Sequence, residues 1–78
     1  MKTTQYFDHI RQRSDRAWIE LDWIVATVQQ PDHIAVQSDG RYRFWKKIEA
    51  AEGRYLRVIT LEDRETVHNA FFDRNFKE

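Results

Sequence analysis

Hydrophobic residues follow a helical spacing before Pro31 and a strand-like alternation after it. Near the start, Tyr6, Phe7 and Ile10 form one apolar edge, because residues four apart lie on the same face of a helix. They predict a first helix over residues 4–13. The residues that precede it predict either a loose segment or a short edge strand.

A second helical pattern follows Ser14 and Asp15, two residues that favour the N-cap position. It predicts an amphipathic helix of about 15 residues with a broad apolar face. The helix ends before Pro31, since the residue that precedes a proline is disfavoured in helical geometry. The predicted apolar face is broad: its central stripe consists of Trp18, Leu21, Val25 and Val28, Ala17 and Ile24 flank the stripe, and Ile19 and Trp23 widen it.

The rest of the chain has the pattern of an antiparallel meander, in which turn residues separate short alternating runs. The turns are centred on Asp39-Gly40, residues 50–53 and residues 62–65. The first three predicted strands cover residues 33–37, 41–49 and 54–61, and a fourth follows the last turn. The predicted fold class is therefore α+β: two N-terminal helices packed on a four-stranded antiparallel sheet, in one domain of residues 1–78.

The register of the first hairpin depends on its turn. Asp39-Gly40 favours a two-residue type I′ turn, which pairs Gln37 with Tyr42. A longer loop moves one set of side chains to the other face of the sheet, so the sequence leaves this register open.

The last hairpin is predicted from the pairing of Leu61 with Thr66, which places Ile59 opposite His68 and Arg57 opposite Ala70. Arg57 and His68 then share a mixed apolar and cationic face of the sheet. The opposite face is predicted to meet the helices, and its residues are Leu56, Val58, Thr60, Val67, Asn69 and Phe71.

Composition narrows the function classes. With 13 basic and 13 acidic residues the formal net charge is zero, which argues against tight nonspecific binding to nucleic acid. The absence of cysteine excludes disulfides and thiolate metal sites and suits a reducing compartment. No apolar run approaches the roughly 18 residues of a membrane span, and the first residues lack the apolar core of a secretory signal. We therefore expect a cytoplasmic protein without a membrane partner.

The three histidines (His9, His33 and His68) lie in different predicted elements, and none has a second ligand at a spacing typical of metal sites. With two glycines the chain has no Gly-rich phosphate loop, and its two serines are predicted as a cap and a turn residue. We expect neither a metal nor a cofactor.

Several short motifs resemble those of a known toxin superfamily. A helical His-x-x-x-Arg runs from His9 to Arg13, the second predicted helix ends at Pro31, and Asp39-Gly40-Arg41 leads into a basic strand. A strand at residues 54–59 follows, and the last strand carries His68, Asn69 and Arg74. In this order of elements the chain resembles the RelE/ParE-like toxin superfamily, most of all its small uncharacterised members and the BrnT-type toxins.

The resemblance implies a toxin-like domain of a toxin–antitoxin system, because characterised relatives are often ribonucleases neutralised by an antitoxin chain. Others in the superfamily act on DNA gyrase. Such ribonucleases are typically basic, and this neutral chain departs from that pattern. The alternative is a noncatalytic protein-interaction module on the same fold, acting as a homodimer or as a partner-binding subunit.

Two residues are predicted to carry metal-independent RNA cleavage. A neutral His68 would accept the 2′-hydroxyl proton as a general base, and Arg57 would hold the phosphate. The competing interpretation makes His68 an ordinary cross-strand partner of Ile59 and the arginines solvated or paired with acids. The residues predicted to bind RNA beside them are Arg43, Trp45, Lys46, Arg74, His9 and Arg13.

Overall fold

Two short helices cover one face of a four-stranded antiparallel sheet in the computed structural model, which describes residues 1–77. The strand order is β1-β2-β3-β4, so each strand pairs with its neighbour in sequence. The helices are α1 (Gln5–Ile10) and α2 (Leu21–Gln29), and the strands are β1 (His33–Val36), β2 (Tyr42–Ile48), β3 (Arg54–Thr60) and β4 (Val67–Phe72). The predicted meander and the α+β class are confirmed.

The core lies between the helices and what we call the inner face of the sheet. Alternate residues of β3 enter it, since Leu56, Val58 and Thr60 are all 0% exposed. Phe44 contributes from β2, and Ile24 contributes from α2. This period of two is the alternation that the sequence shows along β3. The outer face of the sheet carries the residues between them.

The first helix is shorter than predicted and begins one residue later. Thr4 is its N-cap, because the hydroxyl of Thr4 accepts a hydrogen bond from the backbone N–H of Phe7 at 3.1 Å. The helix ends at Ile10, whose side chain is buried with that of Phe7. The predicted apolar edge is confirmed at Phe7 and Ile10, but Tyr6 is 50% exposed, and the extension to residue 13 is wrong.

The second helix is also shorter than predicted, because α2 begins at Leu21 and residues 11–19 form turns or bends. The prediction that two N-cap residues start a helix in this segment is wrong. Tertiary bonds explain the difference. The guanidinium Nη1 of Arg16 donates to Asn69 Oδ1 at 2.6 Å and to the carbonyl of Ala70 at 3.3 Å. These bonds tie the connection to β4.

The helical face that enters the core differs from the predicted stripe. Ile24 is 2% exposed and Thr27 is 0% exposed, whereas Leu21 is 39% and Trp18 is 46% exposed. The Thr27 hydroxyl is satisfied there because it donates to the carbonyl of Trp23 at 2.7 Å. Trp18 lies before α2, so helical periodicity does not set its direction. The predicted stripe is wrong at Trp18 and Leu21.

The first hairpin closes with a longer loop than the two-residue turn predicted for Asp39-Gly40. Val36 pairs with Tyr42, and the N–H of Gln37 donates to the carbonyl of Arg41 at 2.7 Å. Asp39 favours the wider loop, because its carboxylate accepts hydrogen bonds from the backbone of Arg41 and the side chain of Gln37. Consequently Trp45 pairs with His33 on the outer face.

The last hairpin follows the predicted register only at its closed end. Leu61 donates to the carbonyl of Thr66 at 2.9 Å and Thr60 pairs with Val67, but a β-bulge then shifts the register by one residue. Beyond the bulge Arg57 pairs with Phe71 and not with Ala70. The bulge places Ala70 on the inner face, where Asn69 was predicted, and it explains why Phe71 faces outward.

The two edges of the sheet differ. On β4, the N–H of Val67 donates to the carbonyl of Lys2, and the carbonyl of Val67 accepts from the N–H of Thr4. Thr3 thus forms a parallel bridge at this edge, which is the short edge pairing that the sequence left as an alternative. The opposite edge is β1, where Ile34 is 39% and Val36 is 64% exposed.

Candidate nucleic-acid interface

His68 lies at the bulge of β4, beside the first helix. Its Nδ1 is hydrogen-bonded to the Thr4 hydroxyl at 3.1 Å, and its ring stacks on that of Tyr6 with centroids 4.8 Å apart. Burial lowers the pKa of His68 below its usual 6.5, and the positive charge of Arg41 lowers it further, against an opposing effect of Asp39. The neutral imidazole that a general base requires is therefore favoured.

Arg57 lies in the middle of the outer face, in a row of residues that crosses all four strands. His33 pairs with Trp45, Trp45 with Arg57, and Arg57 with Phe71. The guanidinium is 5.6 Å from the Trp45 ring centroid and 5.1 Å from that of Phe71, so two aromatic faces flank the cation.

The C-terminal tail, residues 73–77, folds back over this row. Asp73 Oδ2 accepts from Trp45 Nε1 at 3.1 Å and from Arg57 Nη1 at 3.4 Å. The ring of Phe76 stacks on Trp45, with centroids 4.8 Å apart and an interplanar angle of 18°. Trp45 is consequently 6% exposed, although it lies on the face away from the helices.

Asp73 is an anion held in a partly buried site. Burial raises the pKa of Asp73, but hydrogen bonds from the Trp45 indole, the Asn75 backbone and the Arg57 guanidinium outweigh it and leave the pKa below the usual 3.8. The carboxylate therefore stays ionised and neutralises Arg57.

The structure does not bring His68 and Arg57 together. The residues that contact His68 and those that contact Arg57 have no member in common. The predicted register placed Ala70, two residues from His68, opposite Arg57, whereas the bulge places Phe71 there, three residues from His68. Their predicted catalytic roles stay predictions, without the shared geometry that motivated them.

The remaining predicted residues are distributed over several surfaces. Arg43 is on the outer face next to Trp45, where its Nε donates to Gln37 Oε1 at 2.8 Å. Lys46 is on the inner side of β2, and its Nζ donates to the carbonyl of Gln30 at 2.9 Å. Lys46 therefore does not extend the outer row.

The N-terminal pair and Arg74 lie elsewhere. His9 is exposed in the last turn of α1, and Arg13 follows that helix, with its Nε 3.3 Å from an oxygen of Asp15. Arg74 is exposed just after β4 and lines a cleft that the sequence did not reveal as a unit.

We call this cleft the arginine–tryptophan cleft; its volume is about 540 Å³ and its lining residues are Asp15, Arg16, Trp18, Arg54, Phe71, Phe72 and Arg74. The indole of Trp18 stacks on the ring of Phe72, with centroids 5.1 Å apart and an interplanar angle of 13°. Arg16 lies 5.2 Å from the centroid of Phe71. Three arginines thus line the same cleft as a half-exposed tryptophan.

Sequence reasoning missed three of these residues for identifiable reasons. Trp18 and Arg16 were assigned to a continuous helix, which would have turned the tryptophan into the core. Arg54 was treated as one of several charged strand residues. The sequence signal that could have indicated this cleft was Arg13 and Arg16 close to Trp18, because surfaces that stack on bases commonly combine basic and aromatic residues.

No protein-family model, curated protein or solved structure matches the chain. Among residues 1–77, no helix is long and apolar enough to cross a membrane. Within the same range, no three His, Cys, Asp or Glu side chains are grouped so that they could hold a metal ion.

Proposed function

We propose that the chain is a toxin-like, RNA-directed domain of the RelE/ParE-like type, and that it binds single-stranded RNA in the arginine–tryptophan cleft. The observation that carries the proposal is the placement of a half-exposed tryptophan among three arginines in one open cleft. Base stacking on aromatic rings and phosphate contacts with arginine are the two interactions that bind single strands without strict sequence preference.

The stacking part of the proposal rests on Trp18. Phe72 supports one side of its indole, and 46% of the residue is exposed to solvent. The indole Nε1 donates to the carbonyl of Asp15 at 3.2 Å, which fixes the ring orientation. A fixed ring with an exposed surface is a stacking platform whose conformational entropy is already reduced before the ligand arrives.

The phosphate part of the proposal rests on local charge, since the net charge of the chain is zero. Arg16, Arg54 and Arg74 face one carboxylate in the cleft, that of Asp15, and an oxygen of Asp15 lies 3.7 Å from Arg16 Nε. Arg54 also pairs with Glu52 at 2.7 Å, but both side chains are more than half exposed. Exposed pairs of this kind contribute little and exchange readily for phosphate.

The proposal is that the chain binds RNA, and RNA cleavage is tested separately. General-base cleavage needs the base and a cation within reach of one phosphodiester group. His68 and Arg57 lie in separate contact networks, so the arrangement supports RNA binding better than it supports RNA cleavage.

The test is a titration of fluorescently labelled single-stranded RNA with the intact protein at several salt concentrations, with cleavage followed on a gel. Two phosphates neutralised by the exposed Arg54 and Arg74 predict a slope of log K against log salt of about −1.4, at about −0.7 per phosphate. Trp18→Ala should weaken binding roughly 5- to 150-fold, since stacking on one base contributes about 1–3 kcal/mol. Arg74→Ala should reduce the slope by about 0.7.

Arg41→Ala is the matched control, because it removes a cation from the first hairpin loop, at the opposite end of the sheet from Arg54. It should leave both the affinity and the salt slope of RNA binding unchanged. Absence of binding at low salt, or equal losses from Arg41→Ala and Arg74→Ala, would exclude the cleft as the RNA site.

One observation favours the second candidate, a protein-interaction module. Ile34 and Val36 are exposed apolar residues on β1, an edge strand, and edge strands pair readily with another strand. If β1 pairs with β1 of a second copy, light scattering should give twice the monomer mass, and Val36→Lys should return the monomer. A monomer at high protein concentration would reject this candidate.

A further inference from the structure

The C-terminal tail fills a groove on the outer face of the sheet, which we call the outer groove. Its floor is formed by Trp45 and Arg57, and its wall includes His33 and Tyr55. The tail places one carboxylate and one aromatic ring into it. These are a negative group and a flat ring, the same two kinds of group that a nucleotide offers.

At the anion position, two donors share one oxygen of the tail. One oxygen of Asp73 accepts from both Trp45 Nε1 and Arg57 Nη1. The other oxygen is turned back to the tail, where it accepts from the N–H of Asn75 at 3.0 Å. Arg57 Nε is also buried and meets no acceptor among residues 1–77, but its N–H lies on the Nη2 side of the guanidinium, away from Asp73.

A phosphate fits this donor set better than the carboxylate of Asp73 does. Its oxygens are arranged tetrahedrally, so one can accept from Arg57 Nη1 and another from Trp45 Nε1, whereas these two donors share a single oxygen of Asp73. Asp73 cannot do this, because the chain holds its second oxygen away from Arg57. The position is therefore filled by the tail but only partly satisfied by it.

The ring position is an aromatic box. The Phe76 centroid is 4.8 Å from that of Trp45, 4.9 Å from that of Tyr55 and 5.7 Å from that of His33. The interplanar angle of 18° with Trp45 is close to that of stacked bases. A nucleobase placed there would stack on the same indole.

We propose that the outer groove is a second nucleotide-binding site, and that the tail is a built-in competitor in which Asp73 takes the place of a phosphate and Phe76 that of a base. This inference rests on the proposed RNA-directed function and names a regulated extension of it. RNA that reaches the groove must displace residues 73–77. The apparent affinity of the intact protein is then the intrinsic affinity of the groove multiplied by the fraction of molecules in which the tail is released.

The tail and the arginine–tryptophan cleft are neighbours on the surface. A smaller cavity of about 210 Å³ is lined by Tyr55, Asp73 and Phe76, and it shares Arg54, Phe72 and Arg74 with the cleft. One strand of RNA can therefore run from Trp18 past these two arginines to the tail. Release of Phe76 would lengthen the binding surface by at least one stacking position.

The experiment compares labelled single-stranded RNA binding to the intact protein and to two tail variants, Phe76→Ala and Asp73→Asn. Phe76→Ala should tighten binding at least fivefold, because it frees the Trp45 ring, and Asp73→Asn should act in the same direction. Lys77→Ala is the matched control, because it alters the tail outside the two anchoring positions and should leave binding unchanged. Unchanged or weaker binding by Phe76→Ala, in a variant with native circular dichroism, would overturn the inference.

A second measurement avoids substitution. Adenosine monophosphate is added to the intact protein, and the Trp45 indole N–H is followed by NMR beside a parallel titration with inorganic phosphate. The inference requires a shift with the nucleotide that is larger than the shift with phosphate alone. Equal shifts would reduce the groove to a simple anion site, and no shift would refute it.

The two proposals fail in different ways. If Trp18→Ala has no effect while Phe76→Ala tightens binding, the cleft is wrong and the groove stands. If Trp18→Ala weakens binding while Phe76→Ala has no effect, RNA binds in the cleft and the tail is a structural part of the sheet.

Discussion

Trp18 and Trp45 allow a direct test of where the two tryptophans lie, because the same truncation to alanine removes the same atoms. Trp45 is 6% exposed and Trp18 is 46% exposed. The sequence predicted Trp18 in the core of a long helix and named Trp45 as a residue that could bind RNA by stacking. The structure places Trp45 under the tail and Trp18 at the rim of a cleft.

The magnitudes follow from burial. Truncation of a buried Trp to Ala costs about 3–5 kcal/mol. Trp45 should lie in the upper part of that range, at about 4–5 kcal/mol, because its indole N–H also loses a bond to the Asp73 carboxylate. Trp18 loses roughly half as much contact area and should cost about 2 kcal/mol. Since a chain of 78 residues has a total stability of roughly 4–12 kcal/mol, Trp45→Ala removes a large share of it.

The assay is urea unfolding followed by far-ultraviolet circular dichroism, which does not depend on tryptophan emission. With a slope of about 1 kcal/mol per molar urea, the two variants should differ in midpoint by roughly 2 M. A loss from Trp18→Ala that equals or exceeds the loss from Trp45→Ala would refute the placement of both residues.

Three further predictions concern pH. The pKa of Asp73 is depressed, because the effect of its hydrogen bonds outweighs that of burial. Its contribution to stability is therefore present above about pH 3.8 and is lost as the pH falls through the folded pKa. Asp73→Asn should flatten that part of an acid-unfolding curve. The pKa of His68 is lowered by burial and by Arg41, so stability should rise with pH up to about 6.5 and His68→Gln should abolish that rise in thermal melts. Hydrogen bonds, first that of the Thr66 hydroxyl, lower the pKa of Asp63 to about 2, and NMR titration of Thr66→Val should show it closer to 3.8.

The strands were predictable because the alternation along them reports burial directly. Leu56, Val58 and Thr60 are read from the sequence as one face, and all three are fully buried. The register of the last hairpin was not predictable to the same degree. A bulge inserts one residue without a compositional signal, and it moves every residue after it to the opposite face.

The prediction of a helix over residues 14–20 failed for a different reason. Residues 14–20 have a composition suited to a helix, but the bonds from Arg16 to β4 are tertiary and override local preference. The same bonds turn Trp18 outward and create the cleft. The sequence therefore identified Trp45, Arg57 and Arg74 as candidates, while the partners that complete their surroundings depend on the fold.

The tail was also beyond prediction from sequence. Nothing in residues 73–77 indicates that they return over the sheet, since their two anchors, Asp73 and Phe76, meet partners on three different strands. Long-range contacts of this kind have no local pattern. As a consequence, the tail covers Trp45, which the sequence predicted to bind RNA by stacking.

The unequal edges of the sheet set an upper limit on self-association. On β4, the backbone groups of Val67 bond to Lys2 and Thr4, and those of Ala70 bond to Arg16 and to the side chain of Asn69. Strand addition is thus left to β1. Two chains joined there would present outward their β4 edges, which are occupied at Val67 and Ala70. Such pairing would favour a dimer over a fibre, even though β1 carries exposed apolar side chains.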